Sequence, residues 1–317
     1  MSTVTRRPVM SQDLDANERS QTTTASPRSI PKSPPALLSG ARLNRWLPPR
    51  DLLFDRLVLI YQMPKIGSQT IEATLRSCKF PHAIRRFHYL SPTLAGTVRR
   101  GISSDSPDSA WKSEAQQQLD WIGEISRTIR LRRLMCGLGV RLPKLEVITG
   151  ARDLLSLVLS SIFENYLYFE KSVDAMTVER CREAILHPKT FKALRNWFDL
   201  ELKRFIRVDV FDRPFSHEQG YSIFENRFAR VLVYRFEALD RLPGLLRNFL
   251  GHEIPSLSNT NVSSNKSYSA QYTHVRQNLR LPPHFVNSLY SDKMMRHFYS
   301  ESERAALLAR WADPRPS

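Results

Sequence analysis

The chain is short of cysteine, short of acid, and has no long apolar run. Among its 317 residues only Cys78, Cys136 and Cys181 carry a thiol. They lie far apart, make no C-x-x-C pair and cannot form an even disulfide set, so a reducing compartment is expected. No apolar stretch reaches the ~18 residues that suggest a membrane span, and the N-terminus lacks the apolar centre of a secretion signal. Arg6-Arg7 is followed by no hydrophobic segment, so a solvated tail is expected there and not a twin-arginine signal. The expectation is a cytoplasmic protein with no transmembrane segment, whose substrate can still be destined for export. Asp and Glu number 31 against 47 Lys and Arg, a net charge of +16. The first 50 residues hold eight basic and three acidic side chains, contributing +5 and leaving +11 on the rest. Such a surplus gathers anionic partners, but nucleic acid, anionic lipid, polyanionic sugar and a nucleotide satisfy it equally.

Apolar residues make up 41% of the chain, enough for a sizeable core. Residues 1–49 are rich in Ser, Thr, Pro and Arg with no periodic apolar pattern, and are expected to be a disordered basic tail. Residues 50–317 are expected to form a single α/β domain.

The stretch Leu57-Val58-Leu59-Ile60-Tyr61 reads as a buried strand. Pro64 and Gly67 end it, and Ile71, Leu75 and Cys78 then recur at helical spacing. The loop between carries Lys65, Gly67, Ser68, Gln69 and Thr70. Backbone N–H groups at a helix start, two hydroxyls and an ammonium can converge there on one anion. It is not a Walker A loop, because the lysine precedes the glycine. A strand-to-helix turn with a surface lysine remains the plain alternative.

Ala83 to Leu90 reads as a second strand ending at His88-Tyr89, which puts His88 at a carboxyl end, where open α/β sheets face their ligands. A long helix from Trp111 to about Met135 follows, stopped by Gly137 and Gly139. Leu145 to Thr149 then returns as a strand parallel to the first. Gly150-Ala151-Arg152-Asp153 leads into a helix from Leu154 to Glu170. Arg152 and Ser160 lie about two turns apart, so a guanidinium and a hydroxyl can straddle one phosphate. Arg152-Asp153 can equally be an ion pair at a helix start. Helices are expected over Thr177 to Ile185 and Lys189 to Phe205, and a short extended piece over Val208 to Phe211. Ala229 to Glu237 reads as a strand, with Arg235 and Glu237 pairing to fix the sheet edge, followed by a helix to Leu250. Three short C-terminal helices are expected, the last capped by Ser300 with Glu303. The fold class is therefore α/β: three layers, with a mostly parallel sheet of four or five strands.

The order Pro-Lys-x-Gly-Ser-x-Thr after a strand resembles the 5′-phosphosulfate loop of sulfotransferases that use 3′-phosphoadenosine 5′-phosphosulfate. The Arg at the second strand end with a Ser eight residues on is similar to their 3′-phosphate site, with Leu154 where a Pro usually stands. Tyr-Gln-Met-Pro-Lys-Ile-Gly-Ser, Ser-Ser-Ile-Phe-Glu-Asn at 160–165 and Asn-Lys-Ser-Tyr-Ser at 265–269 together resemble a bacterial family of sulfotransferase-like capsular polysaccharide synthesis proteins. That family is named for an Asn-Lys-Trp-Tyr-Ser motif, and Ser267 replaces its Trp.

The resemblance implies a P-loop-kinase-like arrangement and sulfuryl transfer to a hydroxyl acceptor, on a saccharide or cell-envelope glycan. It implies that Lys65 and the amides from Gly67 to Thr70 hold the 5′-phosphosulfate, that Arg152 and Ser160 hold the 3′-phosphate, and that Lys266 adds a late phosphate contact. His88 is the best candidate for the base, with His217 and Glu164 next. No metal is expected. The rivals are a nucleotide-dependent kinase, which lacks an apolar strand ending in an acidic metal ligand apart from Asp153, and a basic nucleic-acid-binding protein, for which no binding motif appears.

Overall fold

A computed structural model describes residues 48–92, 109–169, 176–258 and 267–314. The expected tail to residue 47 and the Lys266 contact lie outside the described residues. A short helix, Arg50–Phe54 (α1), precedes the strand Leu57–Tyr61 (β1), all five of whose residues are buried. The helix Ser68–Ser77 (α2) leads to Ala83–Phe87 (β2), and the long helix Ser109–Gly137 (α3) leads to Leu145–Ala151 (β3). The helices Leu154–Phe169 (α4) and Val178–Leu186 (α5) follow. Next come the strands Tyr221–Glu225 (β4) and Ala229–Arg235 (β5), and the helix Leu242–Leu250 (α6). The helices Ser269–Asn278 (α7), Pro283–Tyr290 (α8), Lys293–Phe298 (α9) and Glu301–Trp311 (α10) complete the described chain.

The sheet has five strands in the order β2-β1-β3-β5-β4, parallel except for β4. β1 and β3 are buried along their whole length, β1 as an unbroken apolar run and β3 with Glu146 and Thr149 among its apolar residues, the pattern of strands covered on both faces. From β1 the chain moves to one side to reach β2, then crosses back past β1 to β3. Right-handed crossovers in opposite directions put α2 and α3 on opposite faces, which makes the three layers. They also make the gap between the carboxyl ends of β1 and β3 the topological switch point, the usual ligand crevice of such sheets. Among the described residues no helix is long and apolar enough to cross a membrane.

Several expectations change. β2 stops at Phe87, because the Leu90 and Ser91 amides are drawn away to the Glu201 carboxylate. The helix expected over Lys189 to Phe205 is instead a short turn at Lys192–Arg195 and a π-helical segment at Phe198–Ile206. Within that segment Glu201 is fully buried. The extended piece expected over Val208 to Phe211 is a 3₁₀ turn at Val210–Asp212, capped by Asp209 accepting from the Phe211 amide at 3.0 Å.

β4 forms where no strand is expected, because only Phe224 of its five residues is buried and so no apolar face marks it. Its antiparallel pairing places it at the edge, so β5 lies inside the sheet. Arg235 and Glu237 do not pair with each other. Arg235 meets Glu303 and donates to the His217 carbonyl at 3.0 Å. Glu237 accepts from the Asp153 amide at 3.1 Å and the Tyr299 hydroxyl at 2.9 Å. Its burial raises its pKa. The capping box of Ser300 with Glu303 forms as expected.

Candidate functional site

The loop after β1 is shaped by two residues in left-handed backbone conformation. Gly67, at φ +88°, turns the chain into α2, and Lys65 takes φ +66°. For a non-glycine residue that region costs roughly 1–2 kcal/mol, so the rest of the fold must hold Lys65 there. The first helical bond of α2 runs from the Ile71 amide to the Gly67 carbonyl at 3.1 Å. The amides of Ser68, Gln69 and Thr70 therefore lie ahead of the helical ladder, at the positive end of the helix dipole.

Three side chains, one from the carboxyl end of each of the other parallel strands, hold the carbonyls of this loop. His88, just past β2, bonds through Nδ1 to the Gln62 carbonyl at 2.8 Å. Arg152, just past β3, donates from Nη1 to the Lys65 carbonyl at 2.7 Å. Tyr234 of β5 donates to the Ile66 carbonyl. Arg152 is also stacked on Phe236, its guanidinium carbon 4.2 Å from the ring centroid. Tyr234 is fully buried, and its desolvation keeps the phenol protonated as a donor. Gly150 lets the loop come close: a Cβ there would sit 2.9 Å from Ile66 Cγ2 and from the Tyr234 carbonyl oxygen.

A carbonyl can only accept, so His88 Nδ1 carries a hydrogen, and in a neutral ring the lone pair would then sit on Nε2. The same segment is fixed from below by Glu201. Its carboxylate accepts from the Tyr61 hydroxyl at 2.5 Å, the Leu90 amide at 2.7 Å and the Ser91 amide at 3.1 Å, and it meets the Ser91 hydroxyl. Burial, with the Glu201 charge beside it, raises the Tyr61 pKa far above its ordinary value. Trp197 Nε1 donates to the His88 carbonyl at 3.0 Å. His88 is thus pinned at both its ring and its backbone.

Lys65 forms an ion pair with Glu164 of α4, and both side chains are largely covered. Ser160 lies one helical turn before Glu164, on the same face of α4 and so toward the loop. Asp153 makes no local pair with Arg152; it caps α4, accepting from the Ser156 amide at 3.1 Å and the Ser156 hydroxyl at 2.6 Å, and takes the Tyr290 hydroxyl at 2.7 Å. His217 lies elsewhere, bonded through Nε2 to the His297 carbonyl at 2.9 Å. The structure brings Lys65, Gly67, Ser68, Gln69, Thr70, His88 and Arg152 to one crevice. Tyr234, Gly150, Phe236 and Glu201 were not legible as members of it, since each contributes through a contact distant in sequence.

Residues 172–300 match a family described as "Putative capsular polysaccharide synthesis protein", the one named for the Asn-Lys-Trp-Tyr-Ser motif. The match covers less than half of the chain and takes in β4, β5 and most of the C-terminal helices, but none of the loop after β1. Searches of curated proteins and of solved structures each returned no match.

Proposed function

We propose that this protein transfers a sulfuryl group from 3′-phosphoadenosine 5′-phosphosulfate to a hydroxyl of a saccharide. The observation that carries the reading is the Arg152 to Lys65 carbonyl bond, because it ties the two strand-to-helix junctions together across the switch point. The matched family's description supports a glycan acceptor.

The residues present fit an anionic nucleotide. Among the described residues the fully buried Gln62 leaves its Nε2 without a partner beside the loop, and Gly67 keeps the helix start bare of side chain. Lys65 would exchange Glu164 for the incoming anion.

The nucleotide supplies an activated sulfuryl group on a phosphate that can leave. Lys65 and the amides from Gly67 to Thr70 would hold that phosphate and take up its growing charge. Arg152, with one guanidinium donor on the Lys65 carbonyl, has others for the 3′-phosphate, and Ser160 supports it. His88 Nε2 would take the acceptor hydroxyl's proton as the new O–S bond forms and the S–O bond to phosphate breaks. Calorimetric titration with 3′-phosphoadenosine 5′-phosphate, beside ATP with Mg²⁺ and a short duplex, tests the reading. Binding of the first alone is expected. Preference for ATP with Mg²⁺ would point to a kinase, and preference for duplex to a nucleic-acid binder.

A further inference from the structure

At the other end of the sheet, next to the amino ends of β3 and β5, lies a surface of a different kind. The C-terminal turn of α3 and the β4–β5 hairpin enclose a surface cavity of about 290 Å³ lined by Arg133, Cys136, Gly137, Arg207, Arg227 and Phe228, among others. Arg130 and Arg141 are exposed beside it. Among the described residues none of these five arginines has an acidic partner. The acids in the adjoining segments are engaged elsewhere, Asp209 by Lys203 and Glu225 by Lys144 and Arg230. Arg133 feels the crowding: burial, then Arg207 and Arg130, lower its pKa.

The same surface carries apolar side chains that no other described residue covers. Of the six large apolar residues exposed in the described chain, three follow one another here: Leu134 at 58%, Leu138 at 75% and Val140 at 42%. Leu138 stands between Gly137 and Gly139, and the left-handed turn at Gly139, φ +88°, pushes it outward. A dissolved anion explains the arginines but leaves the leucines facing water. A protein partner would not need so many like charges without acids to meet them. An anionic bilayer satisfies both, since its phosphates face cations and its acyl boundary takes aliphatic side chains.

We propose that this face docks on an anionic lipid surface. Arg133, Arg207 and Arg227 hold lipid phosphates, while Leu134, Leu138 and Val140 enter the boundary between headgroups and acyl chains. The seven residues of β5 separate this face from the crevice by roughly 23 Å at about 3.3 Å per residue, so a docked molecule keeps its crevice turned toward water. The inference rests on neither the proposed donor nor the proposed reaction.

The test is co-sedimentation of the full chain with vesicles of equal parts phosphatidylcholine and phosphatidylglycerol, beside pure phosphatidylcholine. Binding to the mixed vesicles alone is expected, and it should fall steeply with salt. Arg133→Gln with Arg207→Asn, the latter keeping a residue that tolerates the left-handed backbone at 207, should weaken it about thirtyfold. Leu138→Ser should weaken it about tenfold, and its exposure means the fold does not depend on it. Loss in the arginine variant with none in Leu138→Ser would overturn the lipid assignment in favour of a site for small anions. Glycerol 1-phosphate displacing the vesicles at millimolar concentration would do the same. Unchanged binding in both variants would overturn the proposal and move the affinity to the basic residues before 50.

Discussion

At the carboxyl ends of β1, β2 and β3 the charged side chains are tied to named partners: Lys65 to Glu164, Arg152 to the Lys65 carbonyl, Glu201 to Tyr61, Leu90 and Ser91. At the amino ends of β3 and β5, Arg133 and Arg207 have no such partner among the described residues. A crevice that must position reacting groups needs its charges held before the ligand arrives, since preorganised dipoles require no reorganisation during reaction. A face that meets a diffuse field needs only net charge and exposure. Substitutions at the two ends should therefore differ in what they damage.

The largest stability loss should come from Glu201→Ala, which orphans the buried Tyr61 hydroxyl and the Leu90 and Ser91 amides together. Each abandoned donor costs about 1–3 kcal/mol, so denaturant unfolding should report a loss of about 3 kcal/mol or more. A loss under 1 kcal/mol would show that this end is not held as described. Next in size is His88→Ala, expected to lower turnover by about a hundredfold or more, the usual contribution of a positioned base, with nucleotide affinity falling only by the smaller share that its bond to the Gln62 carbonyl holds. Normal turnover of the variant from roughly pH 6 to 9 would send the search to Glu164 and His217.

Arg152→Ala separates two roles. Losing its bond to the loop should weaken 3′-phosphoadenosine 5′-phosphate and adenosine 5′-phosphosulfate alike, while losing a 3′-phosphate contact should add about 2 kcal/mol to the first alone. Equal losses by calorimetry would leave Arg152 as a loop support only. Glu164→Gln should act in the opposite sense, removing the carboxylate that competes for Lys65 and tightening nucleotide binding about threefold to fivefold. Weaker binding would mean that Glu164 positions Lys65 for the anion instead of competing with it. The smallest effect belongs to the other end: Arg133→Gln should change unfolding free energy by less than about 0.5 kcal/mol, as befits a side chain with no partner to lose.

The local pattern carried a good part of this. Five apolar residues followed by Pro64 and Gly67 marked β1 and its turn, because a buried parallel strand cannot avoid reading as an apolar run. Gly251, at φ +61°, ends α6 after Leu250, and Ser300 with Glu303 caps α10 as expected, since such caps are chemistry between residues three apart. Ambiguity set in where the burial pattern was thin, as at β4, or where the periodicity was right but the turn was wide, as at Phe198–Ile206.

By itself the sequence determined the α/β class, the strand–loop–helix at Lys65, the second junction at Arg152 and the placing of His88 at a strand end, all consequences of residues within a few positions of one another. Only the tertiary structure decided that His88, Arg152 and Tyr234 would grip three carbonyls of one loop, that Lys65 would face Glu164, and that Glu201 would lie beneath His88. It also decided which arginines would gather without acids at the far end of the sheet. Those outcomes join residues from 26 to 168 positions apart, and side chains so distant meet only once the order β2-β1-β3-β5-β4 has brought their strands side by side.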